Sequence, residues 1–217
     1  MPTPDPSALV ETIQSLGAVA VVRTRHPARL VPAVEALVAG GVKAIEVTLT
    51  VPGAMDQIRN VREAFGDAVV LGVGSVTDAE TAREATEAGA RYVVSPVFKR
   101  SIVEAAHASG AAAMPGCFTP SEAQAAWEAG ADVVKVFPAG VLGMPFFKAV
   151  LAPLPHLRLM PTGGVTLDNA GDWLRAGAVA VGVGSALWND AAVASGDYDV
   201  LTSNARRLGA SIAAARG

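Results

Sequence analysis

The sequence predicts an α/β protein of the (β/α)8, or TIM-barrel, class, because short apolar runs alternate with helical windows along the chain. A pattern of helix end, glycine and apolar run recurs at residues 38–47, 87–94, 128–135 and 175–182. The glycine suits the left-handed position after a helix, and the apolar run suits a parallel strand covered on both faces. Eight such units imply closure into a barrel, and 217 residues lie at the compact end of that class.

Eight strands are predicted, near residues 18–23, 42–48, 68–73, 91–95, 111–115, 132–137, 157–161 and 178–182. Helical windows include residues 78–88, 121–129 and 167–176, with Thr77, Thr119 and Thr166 as their expected N-caps. A doubly wound open sheet is the rival, but no G-x-G-x-x-G motif follows the first strand. We expect one barrel domain over residues 1–217, with a short N-terminal helix before the first strand.

Composition excludes several classes of function. Hydrophobic residues make up 51% of the chain and aromatics only 5%, so Ala, Val and Leu must fill the core. The net charge is −3 without a basic run, which argues against nucleic-acid binding. Cys117 is the single cysteine, so no intramolecular disulfide is expected. Neither a signal peptide nor an apolar stretch of spanning length is present, which predicts a cytoplasmic protein without a membrane partner.

Lys135 is the most informative residue, because it lies within the apolar run Asp-Val-Val-Lys-Val-Phe-Pro at residues 132–138. Lysine is seldom fully buried unless something holds it there, and burial lowers its pKa. A neutral amine is a nucleophile that can form a Schiff base with a carbonyl compound. The structural alternative is a strand-end lysine that reaches water with its head group or pairs with a carboxylate.

Glu46 lies in a second apolar run, Ala-Ile-Glu-Val-Thr-Leu. A buried carboxylate is costly unless it is paired or protonated, and a carboxylate with a raised pKa can carry protons to and from a carbon beside an imine. A structural pair with Lys or Arg is the alternative. Because Lys135 is also predicted at the carboxyl end of a strand, we favour catalysis by the two groups together.

Glycine-rich turns follow the last two predicted strands, at Thr162-Gly163-Gly164 and at residues 182–185, Gly-Val-Gly-Ser. Phosphate sites of these barrels are commonly built there from backbone N–H groups and a helix N-terminus. Ordinary tight turns are the alternative. Arg23, at the end of the first strand, is a candidate for binding a carboxylate or phosphate, or else a solvated rim residue.

Other reactive residue types contribute less. The histidines at 26, 107 and 156 do not fall at predicted strand ends, and no clustered His, Cys and Asp suggests a metal site. Cys117 follows Pro115-Gly116 and could line the mouth of the barrel. It is a weak candidate nucleophile, because no histidine is placed beside it.

Seven short motifs together resemble, in order, those of the 2-keto-3-deoxy-6-phosphogluconate (KDPG) aldolase family, which includes the 4-hydroxy-2-oxoglutarate (KHG) aldolases. They are Glu-Val-Thr-Leu at 46–49, Gly-Val-Gly-Ser at 72–75, Val-Ser-Pro at 94–96, Met-Pro-Gly at 114–116, Val-Lys-Val-Phe-Pro at 134–138, Pro-Thr-Gly-Gly at 161–164 and Val-Gly-Val-Gly-Ser at 181–185. The resemblance extends from about residue 9 to 216.

The resemblance implies a class I aldolase that needs no metal or other cofactor, acts on a small 2-keto acid and forms a homotrimer. It implies that Lys135 forms the Schiff base and Glu46 is the general acid and base. It places the substrate carboxylate on Arg23 and Ser75. The remaining implied contacts are Thr50, Pro96, Phe137 and Thr162 for substrate, and Gly163, Gly164, Gly184 and Ser185 for phosphate.

Two positions depart from the commonest family pattern. Many members carry Arg where this chain has Thr50, and many carry Thr where it has Ser75. Ser75 keeps the hydroxyl, whereas Thr50 removes a cation that Arg23 could replace. The preference between gluco and galacto substrates therefore stays open at this point. A phosphate-binding barrel isomerase or epimerase and a non-catalytic scaffold are the other hypotheses.

Overall fold

The computed structural model describes residues 6–217, where short strands alternate with helices. The strands are β1 Ala18–Val22, β2 Ala44–Thr48, β3 Val70–Gly74, β4 Tyr92–Val94, β5 Ala112–Met114, β6 Gly116–Cys117, β7 Val134–Val136, β8 Leu159–Pro161 and β9 Val181–Val183. The helices are α1 Pro6–Leu16, α2 Leu30–Ala39, α3 Ala54–Phe65, α4 Ala79–Glu87, α5 Arg100–Ala108, α6 Pro120–Glu128, α7 Ala139–Leu142, α8 Met144–Leu151, α9 Ala170–Arg175, α10 Asp190–Ser195 and α11 Asp199–Arg216.

The strands form a parallel, curled sheet in two sections. One section has the order β5-β4-β3-β2-β1-β9 and the other the order β6-β7-β8. Every described pairing between strands is parallel, as expected where helices connect successive strands. The α/β class and the parallel sheet predicted from the sequence are therefore confirmed.

The hydrogen-bond ladder is interrupted, so the described pairings show a curled parallel sheet in two sections and not a closed eight-stranded barrel. The fifth predicted strand, residues 111–115, is present as β5, and the two-residue strand β6 follows directly after Pro115. Proline has no N–H and cannot donate to the ladder, although the Pro115 carbonyl accepts a 2.9 Å bond from the Lys135 N–H. At the other edge, Thr162 and Gly182 form an isolated parallel bridge between the ends of β8 and β9.

Alternate residues of each strand contribute to two separate apolar clusters. In β4, for example, Val93 packs with the helices, whereas Tyr92 and Val94 pack with side chains from the other strands. The second cluster fills the space that the strands enclose, and α1 adds Leu9, Val10 and Ile13 to it. Side chains of a strand alternate between its two faces, so one face of each strand carries the outer core and the other faces the enclosed space.

Helix capping follows the sequence in part. Thr119 caps α6 as predicted, in a capping box with Glu122. The predictions that Thr77 and Thr166 are N-caps are wrong. Asp78, whose carboxylate accepts from the Thr81 N–H, caps α4 instead.

Thr166 and Asn169 bond to each other, and α9 begins only after that turn. Across residues 6–217, no helix combines the length and the apolar character needed to cross a membrane.

Candidate active site

Lys135 occupies the centre of β7 and faces the space enclosed by the strands. It pairs with Gly116 of β6 and Met160 of β8, and only 4% of its surface is exposed. Its Nζ lies 5.0 Å from the centroid of the Phe137 ring. Burial lowers the pKa of the Lys135 ammonium below its ordinary 10.5. The nearby Glu46 opposes this shift and Arg23 adds to it.

Glu46 lies at the centre of β2, on the side of the strand that faces the same enclosed space. It pairs with Val21 of β1 and Gly72 of β3, and is 1% exposed. Its Oε2 atom has no hydrogen-bond partner among the described residues. Desolvation raises the pKa of the Glu46 carboxyl above its ordinary 4.5, while Lys135 and Arg23 oppose the rise.

The two groups thus have pKa values displaced toward each other from opposite sides. Burial disfavours the charged form of each, which is why the acid pKa rises and the amine pKa falls. Paired shifts of this kind are typical of catalytic sites, since proton transfer is most efficient when donor and acceptor pKa values lie near the working pH. The arrangement can supply a nucleophilic amine and a proton carrier in one dry space.

A cavity of about 290 Å³ opens at the carboxyl ends of β1, β7, β8 and β9. Phe137 is part of its lining, and the Phe137 ring lies beside the Nζ of the buried Lys135, which is not itself in the lining. The lining consists of Val21, Arg23, Phe137, Thr162, Gly163, Gly164, Val165, Gly184, Ser185, Trp188 and Asp190. Seven of the residues selected from the sequence therefore meet here, namely Arg23, Phe137, Thr162, Gly163, Gly164, Gly184 and Ser185.

The turn after β8 depends on glycine. Gly163 and Gly164 have φ values of 81° and 89°, in the left-handed region that side chains rarely adopt. A Cβ atom on Gly164 would also meet the backbone of Gly140, so the two backbones approach closely. The Gly163 carbonyl accepts a 2.7 Å bond from the Gly140 N–H, which fixes the turn at the cavity wall.

The expected contribution of a helix N-terminus to the anion site needs correction. Residues Leu187 and Trp188 form a turn by donating their N–H groups to the Gly184 carbonyl, and α10 begins only at Asp190. The turn after β8 likewise continues to Asn169 before α9 begins. Both helices start several residues beyond the glycines; the Asn189 side chain caps α10, whereas Asn169 makes no side-chain cap at α9.

Five other selected residues lie outside the lining of this cavity: the buried Lys135 and Glu46 described above, and Pro96, Thr50 and Ser75. Pro96 borders a neighbouring apolar groove that also contacts Phe137. Thr50 is exposed in a shallow rim pocket beside Arg23, where its hydroxyl is 2.7 Å from that of Thr48. Ser75 follows β3 with φ of 66°, an uncommon conformation for a residue other than glycine. Strain of this type is frequently found at ligand-binding turns.

Trp188 and Asp190 line the cavity but were not selected from the sequence. Asp190 accepts a 2.5 Å bond from the hydroxyl of Thr24, which follows β1. Trp188 is buried and its indole N–H lies 3.4 Å from the same carboxylate oxygen. No sequence pattern indicated that Trp188 and Asp190 belong to the site, because the turn after β9 brings them there.

Comparisons with known proteins agree with this geometry. A model of the KDPG and KHG aldolase family matches residues 9–204. A 2-dehydro-3-deoxy-phosphogluconate aldolase of Dickeya dadantii is 37% identical, over 81% of this chain and 83% of the relative. A 2-dehydro-3-deoxy-6-phosphogalactonate aldolase of Escherichia coli is 32% identical, over 78% and 83%.

Among solved structures, the KDPG aldolase of Legionella pneumophila with pyruvate captured as a covalent carbinolamine superposes with a TM-score of 0.85. It is 27% identical, with 94% of this chain and 98% of that chain covered. The family match spans most of the chain and includes both Lys135 and Glu46. The chain belongs to the KDPG and KHG aldolase family.

Proposed function

We propose that this aldolase reversibly cleaves KDPG to pyruvate and glyceraldehyde 3-phosphate through a Schiff base on Lys135. The observation that carries the proposal is a buried lysine with a lowered pKa in the same enclosed space as a buried glutamate with a raised pKa. The covalent pyruvate adduct of the Legionella relative supports this chemistry. Cleavage of KHG to pyruvate and glyoxylate follows the same steps.

The reaction begins when the neutral Nζ of Lys135 attacks the C2 carbonyl carbon of the substrate. The resulting carbinolamine loses water, with Glu46 transferring the protons, and gives a protonated imine. The imine withdraws the electron pair of the C3–C4 bond while Glu46 accepts the C4 hydroxyl proton. The aldehyde leaves, and an enamine remains attached to Lys135.

Glu46 then returns its proton to C3 of the enamine, which restores the imine. Hydrolysis of the imine releases pyruvate and regenerates the free amine. Because Glu46 serves as base in one step and as acid in the next, a raised pKa suits both roles. The dry surroundings strengthen the interaction of both groups with the charged imine.

The remaining roles concern substrate binding. Arg23 binds the keto-acid carboxylate, and Ser75 and Thr50 contact the same end of the substrate. The charge of Arg23 lowers the pKa of both Lys135 and Glu46, which supports a place for Arg23 near the reacting carbon. Phe137, Thr162 and Pro96 line the path of the carbon chain. Gly163, Gly164, Gly184 and Ser185 hold the phosphate, since their glycine backbones permit close approach of an anion.

Trapping with pyruvate and sodium borohydride tests the proposal. Wild-type protein and the Lys148→Ala control, in which an exposed lysine is removed, should gain one reduced pyruvate adduct by intact mass. Lys135→Ala should gain none and should lose turnover while remaining folded. A Lys135→Ala variant with full activity would end the Schiff-base proposal.

Cleavage of 2-keto-3-deoxy-6-phosphogalactonate is the second candidate activity, and the E. coli relative with that name favours it. The two substrates differ only in the configuration of one hydroxyl carbon. Measuring kcat/KM for both epimers with the same enzyme preparation decides between them. A ratio above about tenfold in either direction corresponds to more than about 1.4 kcal/mol of discrimination and identifies the preferred epimer.

We also propose that the two sheet sections close into one eight-stranded barrel. Two backbone bonds at the seams support closure: Val179 N–H to the Leu159 carbonyl at 3.0 Å, and Asp132 N–H to the Ala113 carbonyl at 3.0 Å. In a closed barrel the Val179 amide should exchange with solvent as slowly as that of Val136. Rapid exchange at Val179 alone would indicate an open seam.

A homotrimer is the assembly we propose for this chain. The large hydrophobic residues Val97, Phe118 and Val141 are 44%, 39% and 73% exposed, and all three border the groove beside Pro96. A contiguous exposed apolar surface of this kind favours contact with a second copy. Light scattering should give about three times the 22.0 kDa of one chain.

Val141→Asp should reduce that mass, whereas Ala213→Asp, on the exposed side of α11, should leave it unchanged. A wild-type protein that stays monomeric at micromolar concentration would contradict the proposed trimer.

A further inference from the structure

The cavity carries a fixed negative charge beside the turns proposed to hold phosphate. Asp190 lines the same cavity as Gly184 and Ser185, with Arg23 on the wall formed by β1. Arg23 is assigned to the keto-acid carboxylate, so it is not available to offset a second anion. Within the part of the chain that the structure describes, the lining of this cavity offers one carboxylate and no cation besides Arg23, while Arg25 lies with Asp190 in the adjoining rim pocket.

The carboxylate is held in place by contacts from two elements. Its Oδ1 atom accepts the Thr24 hydroxyl at 2.5 Å and faces the Trp188 indole N–H at 3.4 Å. Thr24 is itself buried, and its hydroxyl accepts the His26 N–H at 3.0 Å. Asp190 therefore cannot easily turn away from a ligand, because its orientation is set by the turns after β1 and β9.

The group is also charged at neutral pH. Partial desolvation raises the pKa of Asp190, but hydrogen bonds from Thr24, Trp188 and the Arg25 backbone outweigh it, and the charge of His26 acts in the same direction. The pKa accordingly lies below its ordinary 3.8. A carboxylate in this state repels a phosphate dianion and accepts a hydrogen bond from a neutral hydroxyl.

We propose that Asp190 is a specificity-determining residue that reduces the preference of this aldolase for phosphorylated over unphosphorylated 2-keto acids. The inference rests on the proposed function, since it concerns the far end of the same substrate. The backbone of the glycine turns attracts the phosphate, and the carboxylate subtracts from that attraction. A substrate that ends in a hydroxyl does not meet this repulsion.

The test compares kcat/KM for KDPG and for its unphosphorylated counterpart, 2-keto-3-deoxygluconate. Asp190→Asn removes the charge but keeps an oxygen that can accept from Thr24 and Trp188. It should raise kcat/KM for KDPG by on the order of tenfold. The value for the unphosphorylated acid should stay within about twofold, and inorganic phosphate should inhibit the variant at lower concentration than it inhibits wild type.

Two control variants separate charge from loop anchoring. Thr24→Val removes the hydroxyl and keeps the charge, so it should not raise the ratio of the two kcat/KM values. Asp197→Asn, an exposed residue after α10, should leave both values unchanged. If Asp190→Asn alters both substrates equally, or lowers activity on KDPG, Asp190 only anchors the turns and the inference is wrong.

Borohydride trapping of pyruvate distinguishes failure of the Asp190 proposal from failure of the proposed aldolase function. A wild-type adduct at Lys135 together with an unchanged substrate ratio in Asp190→Asn would overturn the role of Asp190 alone. Absence of the adduct in folded wild-type protein would remove the aldolase mechanism and, with it, the inference about its substrate.

Discussion

Gly74 leaves open the space that the carboxylate of Glu46 occupies: a Cβ atom on Gly74 would overlap the Oε1 atom of Glu46. The two residues lie on adjacent strands, two register positions apart, since Glu46 pairs with Gly72. The missing side chain on β3 thus allows the carboxylate to lie against the strand while it remains in the enclosed space. A glycine of the Gly-Val-Gly-Ser motif at 72–75 therefore also determines the position of the Glu46 carboxylate.

Gly74→Ala should displace this carboxylate and lower kcat by about 100-fold, because misplacement by about 1 Å is enough for such a loss. The overpacked strand should also lose about 1–3 kcal/mol of unfolding free energy. Steady-state kinetics and urea unfolding measure the two effects. Gly209→Ala is the matched control, since no atom lies near the added methyl group. It should keep full activity and gain about 0.5–1 kcal/mol as a helix substitution.

The rate of pyruvate trapping on Lys135 should rise with pH and reach half its plateau below pH 10.5, the ordinary lysine pKa. Only the neutral amine attacks the carbonyl, and burial lowers the pH at which it forms. Removing the Glu46 charge by Glu46→Gln should move the midpoint lower still, since that charge raises the lysine pKa. A midpoint at or above 10.5 would show that Lys135 is not desolvated before substrate binds.

Glu46→Gln should increase stability at neutral pH, even as it slows turnover. The raised pKa means that folded protein binds this proton more tightly than unfolded protein does. Wild type therefore loses stability as pH rises from about 4.5 through the raised pKa, and the variant lacks this loss. Urea titrations at several pH values should show a difference in unfolding free energy between wild type and Glu46→Gln that disappears in acid. A difference independent of pH would contradict the raised pKa of Glu46.

Cys117 should be inert in the folded protein. It is 4% exposed, and desolvation together with Glu122 raises the pKa of its thiol to about 12. Iodoacetamide reacts with the thiolate, so at pH 8 the native protein should be labelled at least about 100-fold more slowly than protein unfolded in urea. Intact mass over time measures both rates. Fast labelling of native protein, or loss of turnover in Cys117→Ala, would assign the thiol a role that its position does not support.

The strands and the two catalytic candidates could be predicted because burial leaves a direct mark on sequence. A lysine and a glutamate within runs of Val, Ile and Ala are visible as exceptions, and a glycine after most of the helices marks the next strand. The end of each strand could be placed only within a few residues. Pro115 illustrates the reason: its missing N–H interrupts the ladder without interrupting the apolar run.

The far end of the cavity could not be predicted in the same way. Asp190 and Trp188 lie in a polar segment whose composition is that of an ordinary surface turn. They reach the site because Leu187 and Trp188 fold back onto Gly184 and because Thr24, from a distant part of the chain, binds the carboxylate. Contacts between turns depend on tertiary geometry, so they carry no periodic signal.

Helix α1 has a consequence for the order in which products leave. Leu9, Val10 and Ile13 cover the amino-terminal end of the strands, so we expect substrate to reach Lys135 from the cavity at the opposite end, past Phe137. In the proposed mechanism, the aldehyde departs through that opening while the three-carbon fragment is still bonded to the lysine. In the synthetic direction pyruvate must therefore enter first, and the aldehyde fills the outer part of the cavity only after the enamine has formed.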